Sequence, residues 1–287
     1  MKKSHSKTHL LFYVLITMLL ALIVWTIWGN TALMANSITL SGNQIPSEFS
    51  GFRIAQVSDL HNAEFGEENS LLLNSLSESK PDMIAITGDL VDAQHTNIDV
   101  ALSFAEKAVQ IAPVYYVTGN HEASLSQYSE LKTGLEAAGV IVLEDKAIQL
   151  EHNGGIVTLM GLSDPNFTIK SNIFDEVPAM ISTKLNELME NKAGYTILLS
   201  HRPELFDTYV SCGVDLVLSG HAHGGQFRLP LIGGLVAPNQ GFFPKYDAGL
   251  YTNGGTNMVV SRGLGNSIIP LRFNNRPEIV LVELTAD

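Results

Sequence analysis

The hydrophobic pattern opens with an unbroken apolar run. From Leu10 to Trp28 no charged residue occurs, and Lys2, Lys3 and Lys7 precede it. A hydrocarbon core of roughly 30 Å takes about 20 helical residues, so the run is long enough to cross a bilayer. It also lacks the polar face that a surface helix would need. A secretory signal has a shorter apolar region, about 7–15 residues, closed by a small-x-small cleavage site. Ala32 and Ala35 are poorly spaced for such a site. An uncleaved anchor over residues 1–29 is therefore favoured over a cleaved signal, which would leave a secreted protein. Lysines before the run, and no Lys or Arg after it until Arg53, place the N-terminus in the cytoplasm and the remaining chain on the outer side.

Residues 30–50 show little periodicity and read as a polar connector ending around Pro46 and Gly51. As a flexible coil the roughly 23 residues between Trp28 and Phe52 would span about 25 Å. From Phe52 the pattern alternates between short apolar runs and helical spacing. Strands are predicted at Ile54–Val57, Met83–Ile86 and Val114–Val117, and helices at Glu67–Ser79, Asp99–Ile111 and Gln127–Ala138. This rhythm predicts a sheet with covering helices, an α/β class. After Val140 the β pattern dominates, at Val140–Leu143, Ala147–Leu150 and Ile156–Met160, with Asn153-Gly154-Gly155 as a turn. A helix around Ile181–Asn191 is followed by strands at Thr196–Leu199, Leu216–Leu218, Met258–Val260 and Ile279–Val282. The Gly- and Pro-rich stretch from Gly224 to Gly255 reads as a long ordered loop. No repeat or composition break divides residues 51–287, which are taken as one domain.

Composition narrows the function. Hydrophobic residues make up 45% of the 287 and charged residues 16%, enough apolar content for a core and too much for disorder. A net charge of −12 argues against nucleic acid as a partner, because phosphate-backbone binding needs clustered Lys and Arg. The one cysteine, Cys212, excludes an internal disulfide and a zinc ribbon and reads as a small buried hydrophobe.

Candidate chemistry sits at the ends of five apolar strands. The first runs into Ser58-Asp59-Leu60-His61 and the second into Gly88-Asp89. The third precedes Gly119-Asn120-His121-Glu122, the fourth Ser200-His201, and the fifth Gly220-His221-Ala222-His223. In open α/β sheets ligands bind beyond the carboxyl ends of strands, so these positions converge on one rim. Core packing has no use for polar side chains there. Carboxylate and imidazole without thiolate suit Mn, Fe or Zn. Seven candidate ligands are too many for one tetrahedral ion and about right for two ions sharing a carboxylate, the clamp used for displacement at phosphorus.

These motifs, D-x-H, G-D, G-N-H-[DE], an isolated His and G-H-x-H, stand complete and in order. From about Phe52 to the C-terminus the chain resembles the calcineurin-like metallophosphoesterase family. The Gly-His-Ala-His-Gly-Gly-Gln and Arg-Phe-Asn-Asn-Arg-Pro-Glu segments resemble its membrane-associated bacterial branch of YkuE-type proteins, whose relatives are phosphodiesterases or UDP-diacylglucosamine pyrophosphatases. The resemblance implies a four-layer αββα sandwich behind the N-terminal transmembrane helix. It implies one metal on Asp59, His61, Asp89 and His223 and a second on Asp89, Asn120, His201 and His221. It also implies a metal-bridging hydroxide that attacks phosphorus, with His121 as the acid. Two divalent ions would leave the site near +1 and resolve the conflict between an acidic protein and an anionic substrate.

The remaining polar residues are more ambiguous. His5, His9, His95 and His152 read as surface residues. Glu122 and Glu204 could be supporting carboxylates or helix-start residues. Arg262, Arg272 and Arg276 could hold phosphate or form structural ion pairs. Phe242 and Phe243 read as loop packing, with contact to a lipid acyl region as the sharper alternative. The leading expectation is a phosphodiesterase or pyrophosphatase on a lipid-linked or cell-envelope substrate. A phosphomonoesterase, a phosphoprotein phosphatase and a non-catalytic metal-binding scaffold are the alternatives.

Overall fold

The computed structural model describes residues 4–169, 176–266 and 269–287. Helix α1 covers Ser4–Thr31. Within it, His9–Thr31 reaches a mean hydropathy of 2.6 over a window with no buried residue, which makes it long and apolar enough to cross a membrane. Lys2 and Lys3 of the expected basic flank lie outside the described residues.

The apolar runs then build two six-stranded sheets. The first contains β1 (Met34–Ser41), β2 (Arg53–Val57), β3 (Met83–Thr87), β4 (Val114–Val117), β5 (Ile141–Val142) and, in the tail of the chain, Glu278–Thr285. The second contains β6 (Lys146–His152), β7 (Gly155–Gly161), β8 (Thr196–Leu199) and β9 (Leu216–Ser219). Two short ribbons follow, β10 (Arg228–Leu229) with β11 (Gly233–Gly234) and β12 (Val236–Ala237) with β13 (Gly241–Phe242). The second sheet is completed by β14 (Gly249–Asn253) and β15 (Thr256–Val260), and the Glu278–Thr285 strand is then β16. The strand orders are β1-β16-β2-β3-β4-β5 and β14-β15-β9-β8-β7-β6.

Burial on both faces explains why these strands read as continuous apolar runs. In β3, Met83 and Ala85 face the core between the sheets, while Ile84 and Ile86 pack under helices. In β8, Ile197 and Leu199 face inward and Leu198 outward. The outer face of the first sheet is covered by α2 (Ser70–Ser79), α3 (Ile98–Ala108) and, after the short α4 (Asn120–Ser124), α5 (Tyr128–Ala137). The second sheet is covered by α6 (Val177–Met189) and α7 (Phe206–Ser211). The result is the four-layer αββα sandwich.

Two expectations are corrected. Residues 30–50 are not a free connector: α1 ends at Thr31 and β1 pairs along its whole length with β16, from Met34↔Glu278 to Ser41↔Thr285. Apart from the buried Leu40 its inward positions are only half-buried, and one of them is Asn36, so the alternation is too weak to read from hydropathy. The 25 Å coil between anchor and domain therefore does not exist. The Gly224–Gly255 stretch also carries β10 to β14, strands of two to five residues that are too short to show periodicity. A chain beginning at Phe52 would leave the β16 edge bare. It is expected to aggregate, whereas one beginning at Leu33 melts cooperatively; circular dichroism of the two truncations checks this.

Candidate metal centre

Strands β2, β3 and β4 of one sheet and β8 and β9 of the other end at the same rim. Immediately beyond them the backbone takes left-handed turns at Asp59, His61, Asp89, His221 and His223, with φ between 47° and 68°. Such conformations in non-glycine residues carry strain and concentrate at functional sites. Two glycines make the turns possible by close approach. A Cβ on Gly119 would lie 2.2 Å from Asp89 Oδ1, and one on Gly220 would lie 1.9 Å from Ser58 Oγ.

The candidate side chains are brought together and buried. Ligand atoms of Asp59, His61, Asp89 and His223 lie within 4.8 Å of one another, as do those of Asp89, His201 and His221. Asp89 belongs to both groups. Its Oδ2 is 3.1 Å from His201 Nε2 and 3.7 Å from His61 Nε2, and its Oδ1 accepts the His121 amide at 2.8 Å. Asp59 Oδ1 is 3.3 Å from His223 Nε2 and accepts the His221 amide at 3.0 Å. A cavity of about 310 Å³ opens over the cluster, bordered by Asp89, Asn120, His121, His221 and His223.

Several contacts need a proton or a cation between the partners. His61 Nε2 and His223 Nε2 stand 3.1 Å apart, two imidazole nitrogens facing each other. His201 Nδ1 donates to the Thr87 carbonyl at 2.7 Å, so the Nε2 lone pair of a neutral ring would point at the Asp89 carboxylate. A proton or a cation must lie there. Asn120 Oδ1 is buried with no hydrogen-bonding partner among the described residues, although a buried acceptor without a partner is costly. Second-layer bonds such as His201–Thr87 are also what fix metal-ligating rings. The donor set fits divalent cations.

Electrostatics agrees. Burial pushes the His61 imidazole down to about 4 and holds His221 and His223 well below the usual range, leaving their lone pairs available. Burial also raises Asp59 to about 6. For Asp89, burial is outweighed by His201 and the neighbouring imidazoles, which keep it well below the carboxylate range. Burial would lower His201, but Asp89 and Asp59 push it up to about 10. Ion binding must displace that proton. Mn²⁺ affinity is therefore expected to rise with pH, with protons released. Titration calorimetry in buffers of different ionisation enthalpy measures the release.

The structure also places residues that the sequence left open. His121 Nδ1 accepts the Ala93 amide at 3.0 Å, so a neutral ring carries its proton on Nε2. Buried Glu122 accepts from the amides of Asp89, Leu90 and Gly119 at 2.9, 2.8 and 2.7 Å, tying the β3 and β4 turns together. Its role is positioning, and burial followed by Asp89 repulsion raises it to about 7. Glu204 Oε1 accepts from Asn239 Nδ2 at 2.9 Å, beside the site. Arg262 lies 3.7 Å from Glu278, whereas Arg272 and Arg276 donate to backbone carbonyls. His152 is not a plain surface residue, since its ring packs on Phe49 and Phe52.

One supporting pair was missed. Arg202 is buried against Asp164, donating from Nη2 to Oδ1 at 2.9 Å, with Nη1 3.0 Å from His221 Nε2. Asp164 follows the carboxyl end of β7, and that sixth strand end was the available signal.

A sandwich whose two sheets deliver carboxylates and imidazoles to one buried rim defines a class, the metal-dependent hydrolases of phosphoric esters. Residues 52–225 match the model for calcineurin-like phosphoesterases, and the chain belongs to that family. It is 30% identical over 251 residues to the uncharacterized metallophosphoesterase YkuE of Bacillus subtilis, covering 86% of this chain and 83% of the relative. It is also 30% identical over 244 residues to the phosphodiesterase YaeI of Escherichia coli, covering 81% and 82%. A Danio rerio transmembrane protein with a metallophosphoesterase domain is 30% identical over 256 residues, covering 84% of this chain and 55% of that protein. Among solved structures, TT1561 of Thermus thermophilus shares the fold with a TM-score of 0.52 at 15% identity, covering 75% of this chain and 91% of that one.

Proposed function

We propose that the protein is a phosphodiesterase or pyrophosphatase that works with two divalent ions on a lipid-linked or cell-envelope substrate, held by α1 at the outer face of a membrane. Asp59, His61, Asp89 and His223 would hold one ion, and Asp89, Asn120, His201 and His221 the other. When bound, such a pair polarises phosphoryl oxygens and supplies a strong oxygen nucleophile at neutral pH. The observation that carries the reading is the position of Asp89, one carboxylate shared by two His-containing clusters.

The chain's own residues have distinct tasks. His121 borders the cavity with Nδ1 bonded to the Ala93 amide, so Nε2 is the ring atom through which it would act as the acid toward a leaving oxygen, with a proton supplied to the ring beforehand. Asp89 fixes the His121 backbone. Glu122 holds the turn that aims Asp89. Val236, Ala237 and Ile269 give the cavity an apolar wall, which suits a substrate with a hydrocarbon portion.

The test compares bis-aryl with mono-aryl phosphate hydrolysis after loading with Mn, Fe, Zn or Mg separately. Faster turnover of the diester by a loaded enzyme is expected. Preference for the monoester shifts the assignment to a phosphomonoesterase, and no turnover with any ion favours a non-catalytic scaffold.

A further inference from the structure

Helix α1 does not end in solvent. Asn30 donates to the Thr26 carbonyl at 2.7 Å and to the Arg272 carbonyl at 2.9 Å, and accepts the Arg272 amide at 2.8 Å. Arg276 donates to the Ala32 and Leu33 carbonyls at 2.9 and 2.8 Å, and its guanidinium lies 4.5 Å from the centre of the Trp28 ring. Trp25 and Trp28 pack together in the last turns of the helix. Indole rings settle at the membrane–water interface, so a helix that crosses the bilayer holds the Arg272 segment at head-group height.

From there a chain of hydrogen bonds leads to the cavity. Gln226 borders the cavity and donates from its side chain to the carbonyls of Ile269 and Leu271, at 2.8 and 2.7 Å. The Leu235 amide donates to Phe227 at 2.8 Å, and the Phe243 amide to Leu235 at 2.9 Å. Along this rim Phe242 is 74% and Phe243 62% exposed, Leu231 is fully exposed, and Ile232 and Leu271 also face outward. Exposed apolar side chains of this size, gathered on segments that hydrogen-bond to one another, mark an interaction surface.

Charge supports the same occupant. Between Leu216 and Pro277 there is one acidic residue, Asp247, against Arg228, Lys245, Arg262, Arg272 and Arg276, in a chain whose net charge is −12. Asp247 is itself buried against Arg228 at 3.0 Å. Arg272 is buried and Arg228, Arg262 and Lys245 face carboxylates, so the region is near neutral outward and lacks the negative charge that an anionic lipid surface would repel.

We infer that the cavity rim is a second membrane contact, with Leu231, Ile232, Phe242, Phe243 and Leu271 seated at the boundary between head groups and acyl chains. The cavity then opens onto the bilayer. This rests on the reading that α1 enters that bilayer, and it commits the surface to lipid because the rim is hydrogen-bonded to the base of the apolar helix. Interfacial apolar groups bury about 5–10 Å into this boundary.

The test uses the full chain carrying Cys212→Ser, reconstituted in vesicles of phosphatidylcholine and phosphatidylglycerol. An environment-sensitive nitrobenzoxadiazole label is attached in turn through Leu231→Cys, Phe243→Cys, Leu19→Cys within α1, and Ile156→Cys near the amino end of β7, on the opposite rim. Labels at 231 and 243 are expected to emit at shorter wavelength. Shallow spin-labelled lipid should quench them at least about twofold more than the label at 156, given that burial depth. Quenching at 19 with none at 231 and 243 overturns the rim contact and leaves the anchor standing. No quenching at 19 by lipid spin-labelled deep in its acyl chain overturns the anchor and the inference with it. Labels at 231 and 243 shielded without lipid quenching assign the surface to another protein and also overturn it. The readout needs no turnover, so its failure is distinct from a failure of the substrate assignment.

Discussion

Asp89→Asn is expected to abolish hydrolysis and lower metal content together. The substitution keeps size and the bond to the His121 amide but removes the negative charge that faces His61 and His201. Outer partners of metal ligands are typically worth about 10–100-fold. A ligand shared by two ions should exceed that, so a loss beyond about 10³-fold is expected. Elemental analysis of the purified variant should show fewer than two ions per chain, with an unchanged circular dichroism spectrum. Two retained ions and near-normal turnover would remove Asp89 from the shared position.

His121→Ala should separate the two properties. The ring borders the cavity, packs edge-on to His61 with centroids 4.5 Å apart, and belongs to neither group that shares Asp89, though its ligand atom lies within 4.8 Å of those of His61 and Asp92. Metals should therefore stay bound while turnover falls by roughly 10²–10⁴, the usual contribution of a positioned acid or base. The deficit should shrink for a nitrophenol leaving group, which departs without protonation. A parallel loss of metal would instead make His121 a ligand.

Much of the site was legible because its residues follow strand ends. Apolar runs at Ile54–Val57, Met83–Ile86, Val114–Val117, Thr196–Leu199 and Leu216–Leu218 could be read directly, and each pointed at a polar residue with no role in a core. That the five strands belong to two stacked sheets was not legible from periodicity. Residues buried on both faces look the same whichever layer covers them, and the expectation came from family resemblance. Asp164 was passed over although it follows the end of β7, because its importance comes from Arg202, which it meets only in three dimensions. Strand β1 escaped because its half-buried positions carry little hydrophobic signal. The left-handed backbone at Asp59 and His221 leaves no mark in composition.

The parallel pairing of β1 with β16 bears on how the molecule is made. Strand β16 lies between β1 and β2 in its sheet, so the first two strands to emerge during synthesis cannot pair with each other. Both wait for a partner encoded at Glu278–Thr285. Such pairing between distant parts of a chain is slow to form and leaves open strand edges exposed meanwhile. The sandwich can close only after Glu278–Thr285 clears the ribosome, and a chain cut at Pro277 would leave β1 and β2 without the element that joins them.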